Sequence, residues 1–242
     1  RKTVKTANSY YVHNHQEYLT LESPLKPLNS LSNKLKVNAM PRTDTKPIII
    51  GVTGGIGSGK SYICRIISSL GFPVYNCDAE AKKLMNTNKH IINSLKQLIG
   101  ENSYDSEGNL NKPIIAQFLF ANEENAHKIN SVVHPVVKED FRSWASAQNA
   151  DLIFMESAIL FESGFNDVVD NVITITAPPE TRIERTIRRD NTTREQVIAR
   201  MNQQMQDEER VRLSDYIISN NTNDNVEQQI KTIIETLSKQ VH

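Results

Sequence analysis

The segment that most constrains this chain is Gly54-Gly55-Ile56-Gly57-Ser58-Gly59-Lys60-Ser61, which directly follows the apolar, β-branched run Ile48-Ile49-Ile50-Gly51-Val52. Such a run reads as a buried parallel strand. The glycine segment satisfies G-x-x-x-x-G-K-[ST], and a helical pattern continues over residues 61–70. Strand, glycine turn and helix in that order build a phosphate cradle. Glycines let successive backbone N–H groups turn inward, and the helix N-terminus adds its positive end. The candidate nucleotide-binding residues are therefore Gly55, Gly57, Ser58, Gly59, Lys60, Ser61 and Tyr62. Lys60 is suited to neutralise the β- and γ-phosphates and Ser61 to hold Mg²⁺, so ATP and Mg²⁺ are the expected cofactors.

The rest of the chain reads as an α/β protein, a doubly wound parallel sheet of the P-loop NTPase kind. Val74-Tyr75 starts a second strand, expected to lie beside the phosphate-loop strand. Residues 79–150 read as helices at 79–85, 90–99, 113–120, 124–133 and 135–147, with a polar loop at 101–109. This looks like a helical insertion. Strands resume at Leu152-Ile153-Phe154-Met155 and Val172-Ile173-Thr174-Ile175. Pro178-Pro179-Glu180 opens an arginine-rich helix carrying Arg182, Arg185, Arg188 and Arg189. Thr192-x-x-Glu195 reads as a capping box, Tyr216-Ile217-Ile218 as a last strand, and Asp224-x-x-Glu227 as the cap of an amphipathic final helix.

Composition narrows the partners. Lys plus Arg and Asp plus Glu both number 28, so the net charge is zero and there is no global pull toward nucleic acid or an anionic membrane. No apolar run approaches the length of a membrane span. The two cysteines, Cys64 and Cys77, form no C-x-x-C pair and are expected as reduced thiols in a cytoplasmic protein. Residues 1–46 form a lysine-containing N-terminal extension with breakers and no apolar signal core, expected to be mobile or a partner-binding arm; Met40 is a candidate natural start. Residues 47–242 then form the catalytic domain, with its insertion at 79–150 and a lid at about 179–204. The sequence specifies no oligomeric state.

The phosphate loop alone does not fix a reaction. A GTPase needs a guanine-reading N-K-x-D, which is absent, whereas small-molecule kinases combine an acceptor-binding insertion with a late arginine-rich lid. An ordered set of further segments is more specific. Val52-Thr53 and the loop, Asn76-Cys77-Asp78, Asn130-x-x-x-His134-Pro135, Leu160-Phe161-Glu162-Ser163-Gly164, Arg189-Asp190, Arg200-x-x-x-Gln204 and Asp215-Tyr216-Ile217-Ile218-x-Asn220 together resemble the dephospho-CoA kinase family over residues 48–238. Asn76 departs from that family's D-x-D, Ala158 stands where proline is usual, Lys112 where arginine is common, and Glu156 where aspartate is frequent. The resemblance implies dephospho-CoA as the small-molecule substrate and phosphorylation of its ribose 3′-hydroxyl.

Several roles have a plainer alternative. Asp78 is expected as the catalytic base, or else as the N-cap of the following helix. Glu156 reads as a holder of a metal-bound water or as a strand-end polar residue. Arg189 is the favoured lid arginine, with Arg188 as its rival; otherwise the run is a solvated face. His134 reads as a structural or acceptor-site residue, and Cys77 as a packed thiol.

Overall fold

The computed structural model describes residues 46–240. The expectations for the N-terminal extension and for Met40 fall, Lys46 apart, outside the described residues. Among these, β1 (Ile48–Thr53), β2 (Val74–Asn76), β3 (Leu152–Glu156), β4 (Asn171–Thr176) and β5 (Tyr216–Ser219) form one parallel sheet in the order β2-β3-β1-β4-β5. The expected α/β class and parallel sheet are present, but one adjacency is not. β2 pairs with β3 rather than β1. β3 is buried at every position, as a central strand must be, whereas the three-residue β2 suits the sheet edge.

Strand alternation sends side chains to two separate cores. Leu152 and Phe154 of β3 join Ile50, Val52, Ile173, Ile175 and Ile218 beneath α1 (Lys60–Ser69) and the C-terminal helix. Ile153 and Met155 point the other way, with Tyr75 and Val172. There they meet a block of helices between β2 and β3: α2 (Cys77–Thr87), α3 (Lys89–Ile99), α4 (Lys112–Ala121) and α5 (Glu123–Ser146). After β4 come α6 (Pro179–Asp190), α7 (Arg194–Gln203) and α8 (Asp207–Arg212); α9 (Val226–Ser238) closes the fold. The short α8 went unread in the sequence because one and a half turns carry no helical period.

The block differs from its sequence reading in one respect. The two helices expected at 124–133 and 135–147 are one, with Pro135 inside it. A buried stripe of Ala126, Ile129, Val133, Val137, Phe141 and Ala145 runs across the proline without changing face. Burying that stripe outweighs the roughly 3 kcal/mol an interior proline costs a helix. Two caps also move by one residue. Thr193 and Gln196 form the box that starts α7, and Asn225 caps α9. Asp224 instead binds the Ser219 hydroxyl and the Asn221 N–H.

Candidate active site

The phosphate loop leaves β1 at the carboxyl edge of the sheet, where parallel α/β proteins place ligands. Gly57 and Gly59 have φ of 77° and 93°, a region open to glycine. Both also sit against neighbouring atoms. A Cβ on Gly57 would collide with the Arg182 carbonyl, and one on Gly59 with the Asn220 side-chain amide. Among the described residues no protein acceptor takes the N–H groups of Gly57, Gly59 or Lys60. Such inward amides at a helix start are a ready anion site.

At the end of β3, Glu156 organises the floor of this site. Its Oε1 accepts from Lys60 Nζ at 3.0 Å and from Ser61 Oγ at 2.6 Å, and its Oε2 accepts from Asn76 Nδ2 at 2.8 Å. The side chain is only 5% exposed. Burial alone would favour the neutral acid, but Lys60 and the donated hydrogen bonds outweigh it and hold the Glu156 carboxyl below its ordinary range. Burial likewise works against the Lys60 charge, and the Glu156 and Asp78 carboxylates more than compensate, lifting its proton affinity. Both groups are therefore ionised at neutral pH. Asn76 also accepts the Ala79 N–H, so it is the N-cap of α2.

That observation separates the two readings of Asp78. The capping role belongs to Asn76, and Asp78 lies inside the first turn of α2 with its carboxylate lining the cleft. Burial first, with Glu156 adding, raises its pKa, and Lys60 opposes. No hydrogen bond to this carboxylate occurs among the described residues. Lys82, one turn further along α2, faces the same cleft and is a residue the sequence reading passed over. Its i, i+4 spacing from Asp78 was the available signal.

The cleft, about 910 Å³, brings together residues 54–62, Asp78, Lys82, Glu156, Arg185 and Arg189. All the expected phosphate-loop residues line it, Tyr62 included. The arginine run divides by function within the fold. Arg182 is 4% exposed and turns into the protein. Arg188 is exposed and outside the cleft. Arg189 reaches the cleft, but its guanidinium grips Asp190, at 2.6 and 3.1 Å, beside Arg200. Arg185 lines the cleft with its Nη1 buried and lacking a hydrogen-bond partner. Helical phase sets Arg188 apart, whereas Arg182, Arg185 and Arg189 share one face of α6 and differ in how far along the helix they lie.

Beside the cleft a second concavity, about 690 Å³, is lined by Gly59, Tyr62, Arg185 and residues 220–227. Asn220 anchors this loop by donating its Nδ2 to the Ser58 carbonyl at 2.8 Å.

A family model described as "Dephospho-CoA kinase" matches residues 48–225, which span the sheet, the helical block and the arginine helix. The chain belongs to the dephospho-CoA kinase family. Curated dephospho-CoA kinases agree: one from Bacteroides fragilis is 44% identical over 196 residues, covering 81% of this chain and 95% of that protein. One from Porphyromonas gingivalis is 39% identical, covering 78% and 94%. A crystal structure from Thermus thermophilus superposes with a TM-score of 0.70 at 31% identity, over 81% of this chain and 98% of that one. The dephospho-CoA kinase from Campylobacter jejuni gives 0.59 at 27% identity, over 80% and 98%. The fold is thus that of P-loop kinases, and a kinase of this family uses ATP.

Two other motif residues of this dephospho-CoA kinase family member, His134 and Glu162, do not line the cleft. His134 is partly buried on α5, its ring 5.6 Å from that of Phe165. Burial, with Lys138 and His127 adding, lowers its pKa to about 4. Glu162 accepts the Met205 N–H through Oε1 at 3.2 Å, while its Oε2 is buried without a partner. Among the described residues no cluster of three or more His, Cys, Asp or Glu is built to hold a metal, and His134 stands apart from any such set. Cys64 and Cys77 are buried free thiols whose pKa burial raises. No described helix is long and apolar enough to cross a membrane.

Proposed function

We propose that this protein transfers the γ-phosphoryl group of ATP to the ribose 3′-hydroxyl of dephospho-CoA, giving CoA and ADP, the last step of coenzyme A biosynthesis. The observation that carries this reading is the ionised Glu156 joined to Lys60 and Ser61, in one cleft with the Asp78 carboxylate. A nucleotide switch would need the loop; the acid facing it serves an acceptor's proton.

In this reading Asp78 takes the proton of the 3′-hydroxyl as that oxygen attacks phosphorus. The raised pKa makes it a better base than an exposed aspartate, and the Lys60 ammonium works against its neutral form. The Lys60 ammonium meets the β- and γ-phosphates, and the unpartnered loop amides hold the remaining phosphate oxygens. Arg189, as expected from sequence, and Arg185, added by the fold, are the cations that stabilise charge spreading over the equatorial oxygens. Tyr62 and the loop at 220–227 offer the nucleoside its seat. Ser61 and Glu156 supply two adjacent oxygens, the small protein share Mg²⁺ usually takes, so they fit that ion. Bound there, Mg²⁺ would neutralise phosphate charge. The helical block α2–α5 is the acceptor side, and α6 with α7 is the lid that excludes water. The buried free thiols are consistent with a reducing compartment, the cytoplasm.

The test is direct. Purified protein incubated with Mg-ATP and dephospho-CoA should yield CoA by mass, and Lys60→Ala should abolish most of that yield. Phosphorylation of a nucleoside monophosphate or shikimate, with dephospho-CoA inert, would overturn the assignment in favour of another small-molecule kinase.

A further inference from the structure

The proposed mechanism uses the arginines that face the cleft and leaves unexplained Arg182, which turns into the protein. Arg182 is buried, yet its charged side chain grips the phosphate loop. Its Nε donates to the Ile56 carbonyl at 2.8 Å, and its Nη1 pairs with Asp207. The same Ile56 residue is held from its other side, where its N–H donates to Gln204 Oε1 at 2.8 Å. Ile56 is therefore clamped at both backbone polar groups by side chains more than a hundred residues away. Its neighbours Gly55 and Gly57 are residues proposed to contact phosphate.

Residues 204–207 act as a strap that carries this clamp. Asp207 also accepts from Arg210 Nη1 at 2.6 Å, and Arg210, fully buried, donates Nη2 to the Met205 carbonyl at 2.7 Å. Glu162, on the segment after β3, takes the Met205 N–H. Two buried guanidinium groups thus share one carboxylate close behind the phosphate loop. Gly55 has no room for a Cβ because the Arg182 guanidinium packs against it. A loop of glycines is intrinsically mobile, so something outside it must fix its peptides before the phosphate arrives.

We infer that Arg182 is a positioning residue for the nucleotide phosphates, acting through the Ile56 peptide and supported by Asp207 and Gln204. It does not line the cleft. By starting α6 on the phosphate loop, it also ties the first turns of the arginine helix to the loop, so that lid motion can involve the part of α6 beyond it. The inference rests on the nucleotide reading of the cleft, but not on the identity of the acceptor.

The experiment uses the full chain and a non-hydrolysable ATP analogue with Mg²⁺, titrated by calorimetry, alongside steady-state kinetics. Arg182→Lys keeps a cation near Asp207 but lacks the second donor needed to reach Ile56 as well. Analogue affinity should fall about tenfold and KM for ATP rise by a similar factor, the scale of one lost hydrogen bond to a charged donor. The kcat at saturating ATP and the KM for dephospho-CoA should shift less than about twofold, since uniform binding is what is lost. Gln204→Leu releases Ile56 from the other side. It should weaken the analogue in the same way, and the double variant should lose less than the product of the two single losses. Gln204→Leu also keeps the proposal testable should Arg182→Lys fold poorly. Folded variants with lower melting temperature but unchanged analogue affinity and KM for ATP would show a merely structural arginine and overturn the inference. Absence of CoA formation with intact analogue binding would instead reject the acceptor assignment and leave this inference standing.

Discussion

The helical block and the phosphate loop are held by opposite means. The block α2–α5 packs through hydrocarbon: Ile91, Leu95, Ile115, Ile129, Val133, Val137 and Phe141 are all buried to 3% exposure or less. A buried polar tie there is the Tyr104 hydroxyl on the Met85 carbonyl, and burial pushes the Tyr104 pKa up to about 12. The phosphate loop has almost no hydrocarbon of its own. Side chains from distant elements pin it bond by bond: Arg182 and Gln204 on Ile56, Asn220 on the Ser58 carbonyl, Glu156 on Lys60 and Ser61. Apolar packing is non-directional and sets stability, whereas hydrogen bonds fix the angle of a peptide or a carboxylate. Stability and chemistry are therefore carried by separable residues. Changes in the block should alter melting without altering nucleotide affinity, and changes around the loop should do the reverse.

The sharpest break of that comparison lies at Asp78, which belongs by sequence to the first turn of the block and by geometry to the cleft. Asp78→Asn should lower turnover by roughly 10²–10⁴-fold, the usual contribution of a general base, while ATP affinity and melting temperature change little. Capping is not at stake, because Asn76 performs it. Turnover and ATP affinity measured on one preparation decide the matter. A loss below about threefold is too small for the base, and Glu156 would become the next carboxylate to test.

Inside the block, Ile91→Ala should remove about 2–5 kcal/mol of stability through a cavity the neighbours cannot fill. Denaturant melts would report the loss, and the remaining folded protein should bind ATP with unchanged affinity. A matching fall in nucleotide affinity would mean that block and loop are coupled, contrary to the division drawn above.

His134 offers a smaller effect with a definite sign. Its pKa falls from 6.5 to about 4 on folding, chiefly by burial. The unfolded chain then binds the proton first, so this stability is fully present above pH 6.5 and is lost as pH falls toward 4. The loss is on the order of 3 kcal/mol. His134→Gln should flatten that part of the stability curve; parallel curves for parent and variant would place the histidine in contact with water.

Much of this was legible beforehand because the relevant signals are local. Short apolar runs marked the described strands, most clearly β1, β3 and β4, whose buried positions need apolar side chains on both faces. The glycine spacing of residues 54–61 located the loop, because only glycine at Gly57 and Gly59 accepts their dihedral angles and close neighbours. The break expected at Pro135 and the caps expected at Thr192 and Asp224 were misplaced where a buried stripe or a neighbouring cap competed with a local preference. Arg185 was passed over in favour of Arg189, because which arginine of a helix faces a cleft depends on what the helix packs against.

The α/β class and the strand–loop–helix phosphate cradle with Lys60 follow from backbone preference and residue chemistry within short windows of sequence, and the resemblance to a kinase family added Asp78 as a candidate. Only the tertiary structure decided that β3 enters between β1 and β2, bringing Glu156 between Lys60, Ser61 and Asn76. It alone brought Arg182 and Gln204 onto Ile56 across more than a hundred residues of chain. Strand order and helix phase are chosen by the burial of whole faces, which no short window of sequence contains.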